Sequence, residues 1–200
     1  MLTTCYVTLK KKGENMKKIP TIFKRKPDKM SEILNEPHPD CDWVFKGEGV
    51  ATRKYDGTCV KIENGRYFKR REVKKGKKIP PDFVEEMTDI NTGKKVGWVP
   101  VNPDSKEDKW HMVALKEFLP NGTYELLGPK IQGNIEKFDE HILIKHSDAE
   151  KMENCPRDYN GIQDFMLGKD IEGIVFHHPD GRMGKIKKRD YGMKRNITRR

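Results

Sequence analysis

What this chain of 200 residues has least of is unbroken apolar sequence. Hydrophobic residues make up only 34%, and the longest apolar runs, such as Ile142-Leu143-Ile144 and Ile174-Val175-Phe176, fall far short of the roughly 20 residues of a membrane-spanning helix. A transmembrane enzyme is excluded, and no membrane is expected among its partners. Cysteine is scarce too: Cys5, Cys41, Cys59 and Cys155 are widely spaced, with no C-x-x-C pair and no histidine at zinc-finger distance. Neither a disulfide framework nor a zinc finger fits, so free thiols are expected. Residues 1–13 hold no apolar segment of the secretory kind, so a cytoplasmic location is expected. Phosphate-binding glycine motifs are missing as well. Gly47-Glu48-Gly49 is an isolated G-x-G, and Gly181-Arg182-Met183-Gly184-Lys185 lacks P-loop spacing. His177 and His178 are adjacent, so on a strand they point to opposite faces and cannot readily share a metal.

Charge is abundant. Lys and Arg number 41 against 31 Asp and Glu, a net of +10, and 3 Trp, 6 Tyr and 8 Phe suffice to anchor a core, which excludes wholesale disorder. The excess is unevenly spread. Residues 1–47 carry +4, 48–100 carry +5, 101–170 carry −5 and 171–200 carry +6. A single basic surface for an anionic partner therefore requires the fold to bring two distant stretches together. Residues 1–15, ending in front of the basic stretch Met16-Lys17-Lys18, read as a flexible, dispensable extension of one domain spanning 16–200.

Local patterns predict an α+β chain dominated by antiparallel strands. A short helix is expected over Asp28–Leu34, with Met30, Ile33 and Leu34 on one face. Strands are expected at Val50–Thr52, Thr58–Ile62 and Tyr67–Phe68, the last two joined by the Asn64-Gly65 hairpin turn. The stretch from Lys74 to Asn102 reads as a long loop with one short strand near Val96–Val101. Beyond it the spacing predicts a helix over Trp110–Phe118, strands at Tyr124–Leu127 and Ile142–Ile144, a helix over Tyr159–Leu167, and a final hairpin of Ile174–Phe176 with Gly184–Ile186.

The segment that carries chemistry is Lys54-Tyr55-Asp56-Gly57. A surface lysine is the ordinary reading of any single K-x-D-G, but two distant patterns accompany it: Glu172-Gly173-Ile174-Val175, and Lys185-Ile186-Lys187 beginning thirteen residues after Glu172. With Lys69-Arg70-Arg71 and Tyr124-Glu125-Leu126 between them, the chain resembles the covalent nucleotidyltransferases, the superfamily of ATP-dependent ligases and mRNA capping enzymes, with these segments in the places of motifs I, Ia, III, IV and V. Over residues 19–191, including Gly97-Trp98-Val99-Pro100-Val101 and Asp108-Lys109-Trp110-His111, it is similar to the small stand-alone 5′–3′ RNA ligases.

The resemblance implies an antiparallel-sheet-rich adenylyltransferase domain of the ATP-grasp-like ligase type. No C-terminal OB domain is expected, because only nine residues follow Tyr191. It implies a reaction in which Lys54 attacks the α-phosphorus of ATP and holds AMP as a phosphoramidate, dividing one condensation into easier transfers. A lysine is mostly protonated at neutral pH, so neighbouring cations must depress its pKa, and Arg53, Lys185, Lys187 and a bound metal are the expected sources. Lys185 and Lys187, two apart on a strand, project to one face and can flank a phosphate. Asp56 and Gly57 complete the motif at the nucleotide. Of the two arginines that alternate on their strand, Arg70 is favoured over Arg71 for phosphate or ribose contact. Glu125 is expected at the ribose hydroxyls, with a purely structural glutamate as the competing reading, and Glu172 at Mg2+ or Mn2+. For the adenine platform, Phe138 and the His141–Ile144 strand are available without a clean motif match.

The expected activity is that of an ATP-dependent RNA ligase, a monomer, acting on RNA with 5′-phosphate and 3′-hydroxyl ends. A minimal DNA-nick ligase or an mRNA guanylyltransferase is the alternative enzyme, and a non-catalytic RNA-binding protein is the alternative of another class.

Overall fold

A computed structural model describes residues 19–90, 92–116 and 118–195. The expected extension over residues 1–15, including Cys5 and the Lys10-Lys11-Lys12 run, lies outside the described residues. The strands are β1 (Phe23–Arg25), β2 (Ile33–Pro37), β3 (Val50–Lys54), β4 (Thr58–Glu63), β5 (Arg66–Val73), β6 (Val84–Thr88), β7 (Lys95–Pro100), β8 (Gly122–Leu127), β9 (Ile142–Lys145), β10 (Gly173–His177) and β11 (Met183–Lys187). The helices are short: α1 (Asp42–Phe45), α2 (Lys109–Ala114) and α3 (Tyr159–Leu167). They form an α+β fold of antiparallel sheets, ordered β1-β2, β11-β10-β3 and β6-β7-β5-β4-β8-β9. Among the described residues no helix is long and apolar enough to cross a membrane.

Period-two patterning builds the two larger sheets. In the three-stranded sheet Ala51, Ile174, Phe176 and Ile186 are buried on one face. There they join Ile22, Phe23, Trp43, Val44 and the α3 residues Ile162 and Met166 in a core cluster. In the six-stranded sheet Val60, Ile62, Tyr67, Tyr124 and Leu126 form a second cluster with Ala114 of α2. Each sheet thus spends one face on a core and leaves the other free to line a cleft.

Where the local signal is strong, structure and sequence agree. Asn64 and Gly65 both take positive φ, 51° and 72°, as the two-residue turn between β4 and β5 demands. Helix α3 has the expected bounds: Asp158 caps it by accepting from the Gly161 N–H at 2.9 Å, and Gly168 stands at its C-terminal end.

Three expectations fail locally. Residues 28–34 form no helix. Met30 is 64% exposed, and Ile33 is buried in the first cluster from strand β2. Three apolar residues between Pro27 and Pro37 were too few to set a period, and pairing with β1 decided the conformation. The Lys74–Asn102 stretch contains the expected strand, as β7, but also a second one paired with it, β6, a charged edge strand whose Val84 is 59% exposed. Its two glutamates, Glu85 and Glu86, are charges of the kind edge strands carry, which hides a strand from pattern reading. Helix α2 stops at Ala114, and Phe118 is 87% exposed, so that aromatic never reaches an apolar face.

Candidate active site

The Tyr55-Asp56-Gly57 connection carries the chain from β3 of one sheet to β4 of the other, so Lys54 sits where the two free faces meet. The register puts Gly173 opposite both Lys54 and Lys187, and Val175 opposite both Thr52 and Lys185. Directly opposed residues share a face. Thr52, Lys54, Val175, His177, Met183, Lys185 and Lys187 consequently form one wall of a cleft of about 370 Å³. Cys59, Arg70, Thr123, Glu125, Ile144 and His146 come from the other sheet and its flanks. Gly173 contributes no side chain, because a Cβ there would lie 2.1 Å from the Ile186 carbonyl oxygen.

The Lys54 ammonium lies 2.5 Å from Glu172 Oε2, and Lys187 Nζ engages the other oxygen of the same carboxylate. Burial alone would push the Lys54 pKa down. Glu172, with Glu125 and Asp56 behind it, outweighs burial and holds the group above the ordinary lysine value. The expected depression of Lys54 by cations is therefore reversed in the site as it stands, because the nearest charge is a carboxylate. The cationic field falls on Lys185 instead. Burial first, then Lys187, Lys54 and Arg70, push its ammonium down to about 8. Burial opposes ionisation of Glu172, but its two lysines win and hold it below the usual carboxylate range. Asp56 moves the other way, raised by burial and by Glu172.

Glu125 has both oxygens engaged. Oε1 accepts from the Gly57 N–H at 3.1 Å and Oε2 lies 3.0 Å from His146 Nε2, whose Nδ1 lies 2.9 Å from Thr123 Oγ1. It faces the cleft while bracing the K-x-D-G loop, the structural part of the two readings the sequence left open. Gly57 must be glycine: a Cβ would come within 2.3 Å of the Leu126 carbonyl oxygen. Arg70 lines the cleft and Arg71 is exposed on the other side of β5, as strand alternation requires.

Arg53 borders the cleft, but its guanidinium is not beside the Lys54 ammonium. Alternation on β3 turns its guanidinium away from Lys54, 2.7 Å from Glu136 and 3.3 Å from Glu150. Phe138 does not line the cleft; its ring centroid lies 6.4 Å from that of Tyr55. Ile144 does line it. Thr52, Thr123, His146 and His177 were not anticipated. Thr52 Oγ1 donates to the Val175 carbonyl at 3.2 Å and lies 3.0 Å from His177 Nε2. No short motif marks these four. The available signal was a period-two offset for Thr52 from Lys54 on β3 and for Thr123 from Glu125 on β8; His146, just after β9, and His177, at the end of β10, had none. His178 points the opposite way, to Glu48 and Asp180, as two adjacent strand histidines must.

Among the described residues no group of three or more His, Cys, Asp or Glu side chains could hold a metal ion. Glu172 is the carboxylate best placed to contribute to one, and a hard divalent cation there would need phosphate oxygens and water for its remaining ligands. The donor set fits a cation that arrives with a polyphosphate rather than a resident one. Three ammonium groups and Arg70 around one paired carboxylate likewise fit a polyanionic ligand.

No model of a known protein family matches the chain. It is similar to RNA ligase 1 of Rattus norvegicus, 25% identical over 240 aligned residues that cover 82% of this chain and 72% of the relative. The chain is thus a distant relative of an RNA ligase.

Proposed function

We propose that the protein is an ATP-dependent RNA ligase that works through a covalent lysyl-AMP on Lys54. The observation that carries the reading is the placement of Lys54 against Glu172, with Lys185 and Lys187 on the same face of one sheet. The similarity to an RNA ligase supports it.

In the first step the Lys54 amine attacks the α-phosphorus of ATP. A P–N bond forms, the bond to the pyrophosphate oxygen breaks, and the lysine gives up its proton. The resting ammonium is held by Glu172, and the cations Lys185 and Lys187 disfavour a third positive charge beside them once that carboxylate is engaged elsewhere. The same two lysines stabilise charge developing on the transferring phosphoryl group. Glu172 would hold Mg2+ or Mn2+ with the nucleotide, and that ion would neutralise phosphate charge. Glu125, fixed by Gly57 and His146, presents its carboxylate towards the ribose.

In the second step an RNA 5′-phosphate oxygen attacks the adenylate phosphorus and Lys54 leaves. In the third, a 3′-hydroxyl attacks that 5′-phosphate and AMP departs as the phosphodiester closes. Arg70 and the basic surface beyond it follow the RNA backbone.

Intact-protein mass spectrometry before and after incubation with ATP and magnesium tests the reading. One adenylate per chain, absent from Lys54→Ala and followed by sealing of 5′-phosphorylated RNA, is the expected result. Label retained from GTP and not from ATP, or no covalent nucleotide at all, overturns it.

A further inference from the structure

Glu136 carries no motif and lies outside the cleft lining, yet its carboxylate, 2% exposed, is bonded to both sides of Lys54. Oε2 accepts from Arg53 Nη2 at 2.7 Å, one residue before Lys54. Oε1 accepts from the Asp56 backbone N–H at 2.8 Å, two residues after it. The same oxygen accepts from Arg195 Nη1 at 2.7 Å. Arg195 in turn binds the Asp170 carboxylate at 2.8 Å, and Arg53 and Arg195 each donate to the Asp170 backbone carbonyl at 3.2 Å. Asp170 stands two residues before Glu172. One buried carboxylate and two arginines therefore hold the segments that deliver both members of the Lys54–Glu172 pair.

We infer that Glu136 is a positioning residue for Lys54, and that Arg195, close to the end of the described chain, completes the same clamp. The inference rests on the adenylylation reading above and adds to it the means by which the nucleophile is aimed. The segment carrying Glu136 is itself held in shape. Gln132, Gly133, Asn134 and Lys137 all take positive φ, the Phe138 N–H donates to Asn134 Oδ1 at 3.0 Å, and Lys137 pairs with Asp170 at 2.8 Å. A carboxylate needs two cations here for a physical reason. Buried without them its desolvation would not be recovered, and the Asp56 N–H would lose its partner. In-line attack depends on the placement of the amine, and a misplacement of about 1 Å costs roughly 100-fold in rate.

The test uses the full chain and two variants, Glu136→Ala and Arg195→Ala. In Glu136→Ala, Arg53 keeps Glu150 and Arg195 keeps Asp170, and in Arg195→Ala, Arg53 keeps Glu136, so neither variant strands a cation. The rate of lysyl-AMP formation at saturating ATP should fall about 100-fold in Glu136→Ala and about 10-fold in Arg195→Ala, while the Kd for ATP changes less than about 3-fold. Millimolar guanidinium ion should restore part of the rate in Arg195→Ala and none in Glu136→Ala. Amide exchange at Asp56, measured without nucleotide, should accelerate in Glu136→Ala. A merely structural role lowers the folded fraction without moving the rate per folded molecule, so an unchanged rate in folded Glu136→Ala overturns the inference. If the unaltered protein takes no adenylate, the adenylylation reading falls on its own, and unchanged exchange at Asp56 then overturns the clamp separately.

Discussion

Lys54, the last residue of β3, and Glu172, the residue just before β10, meet at 2.5 Å across the pairing of the two strands. The pair is partly screened from water, with Lys54 21% and Glu172 15% exposed, and Lys187 shares the carboxylate. This arrangement lets the site hold a lysine without a ligand and still leaves two more cations on the same face.

Replacing Lys54 should separate chemistry from folding. In Lys54→Ala the Glu172 carboxylate keeps Lys187, so no buried charge is stranded, and the loss of stability should stay within about 2 kcal/mol. Covalent nucleotide should vanish, and Lys54→Arg should lose it equally, since a guanidinium retains its proton. Thermal melting and intact mass, measured on the same preparations, check both statements.

Lys185 predicts a pH dependence with a definite sign. Its folded pKa of about 8 lies below the ordinary lysine value of 10.5, so the unfolded chain binds the proton more tightly. The cost of holding this ammonium is full below about pH 8 and is relieved as pH rises from there towards 10.5. Lys185→Met should thus gain stability relative to the unaltered chain at pH 7, with the difference shrinking above pH 8. In the opposite sense, ATP affinity of the unaltered chain should weaken as pH rises through 8, and Lys185→Met should bind ATP weakly throughout. Urea titrations and nucleotide-binding isotherms across pH 6.5–9.5 test the two directions.

Gly57→Ala should damage the site through its shape. The added methyl meets the Leu126 carbonyl oxygen at 2.3 Å and Leu127 Cδ2 at 2.6 Å, which belong to a buried strand that cannot yield cheaply. A loss of about 1–3 kcal/mol is expected together with a slower lysyl-AMP step, because the displaced loop carries Asp56 and the bond to Glu125. Chemical denaturation gives the first number and single-turnover adenylylation the second.

On the back of the six-stranded sheet, Asp108 is 1% exposed and accepts from Lys69 Nζ and, at 2.8 Å, from the Asn102 N–H. Burial opposes its ionisation, but the Lys69 bond and the Asn102 amide outweigh burial and hold the carboxyl below its ordinary value. A depressed folded pKa contributes stability that is present above the unfolded value near 3.8 and is lost as pH falls below it. Asp108→Asn should cost about 3 kcal/mol at pH 7, where it leaves Lys69 unpaired, and much less near pH 3. Denaturation at the two pH values decides.

The sequence by itself determined the strand pairs flanking Asn64-Gly65 and Asp180-Gly181, helix α3, and the shared face of Lys185 and Lys187. Each of these depends on a period or a turn conformation that a few neighbouring residues impose. The motifs, through their resemblance to those of a known family, also singled out Lys54, Glu125 and Glu172. Only the tertiary structure decided what these groups touch. The side of β3 from which Arg53 leaves, the carboxylate that raises rather than lowers the Lys54 pKa, and the joining of Glu136, Asp170 and Arg195 around the reactive loop all follow from sheet register. Strand alternation places neighbours on opposite faces, and pairing across sheets sets side by side residues separated by more than a hundred positions, a relation no local pattern encodes.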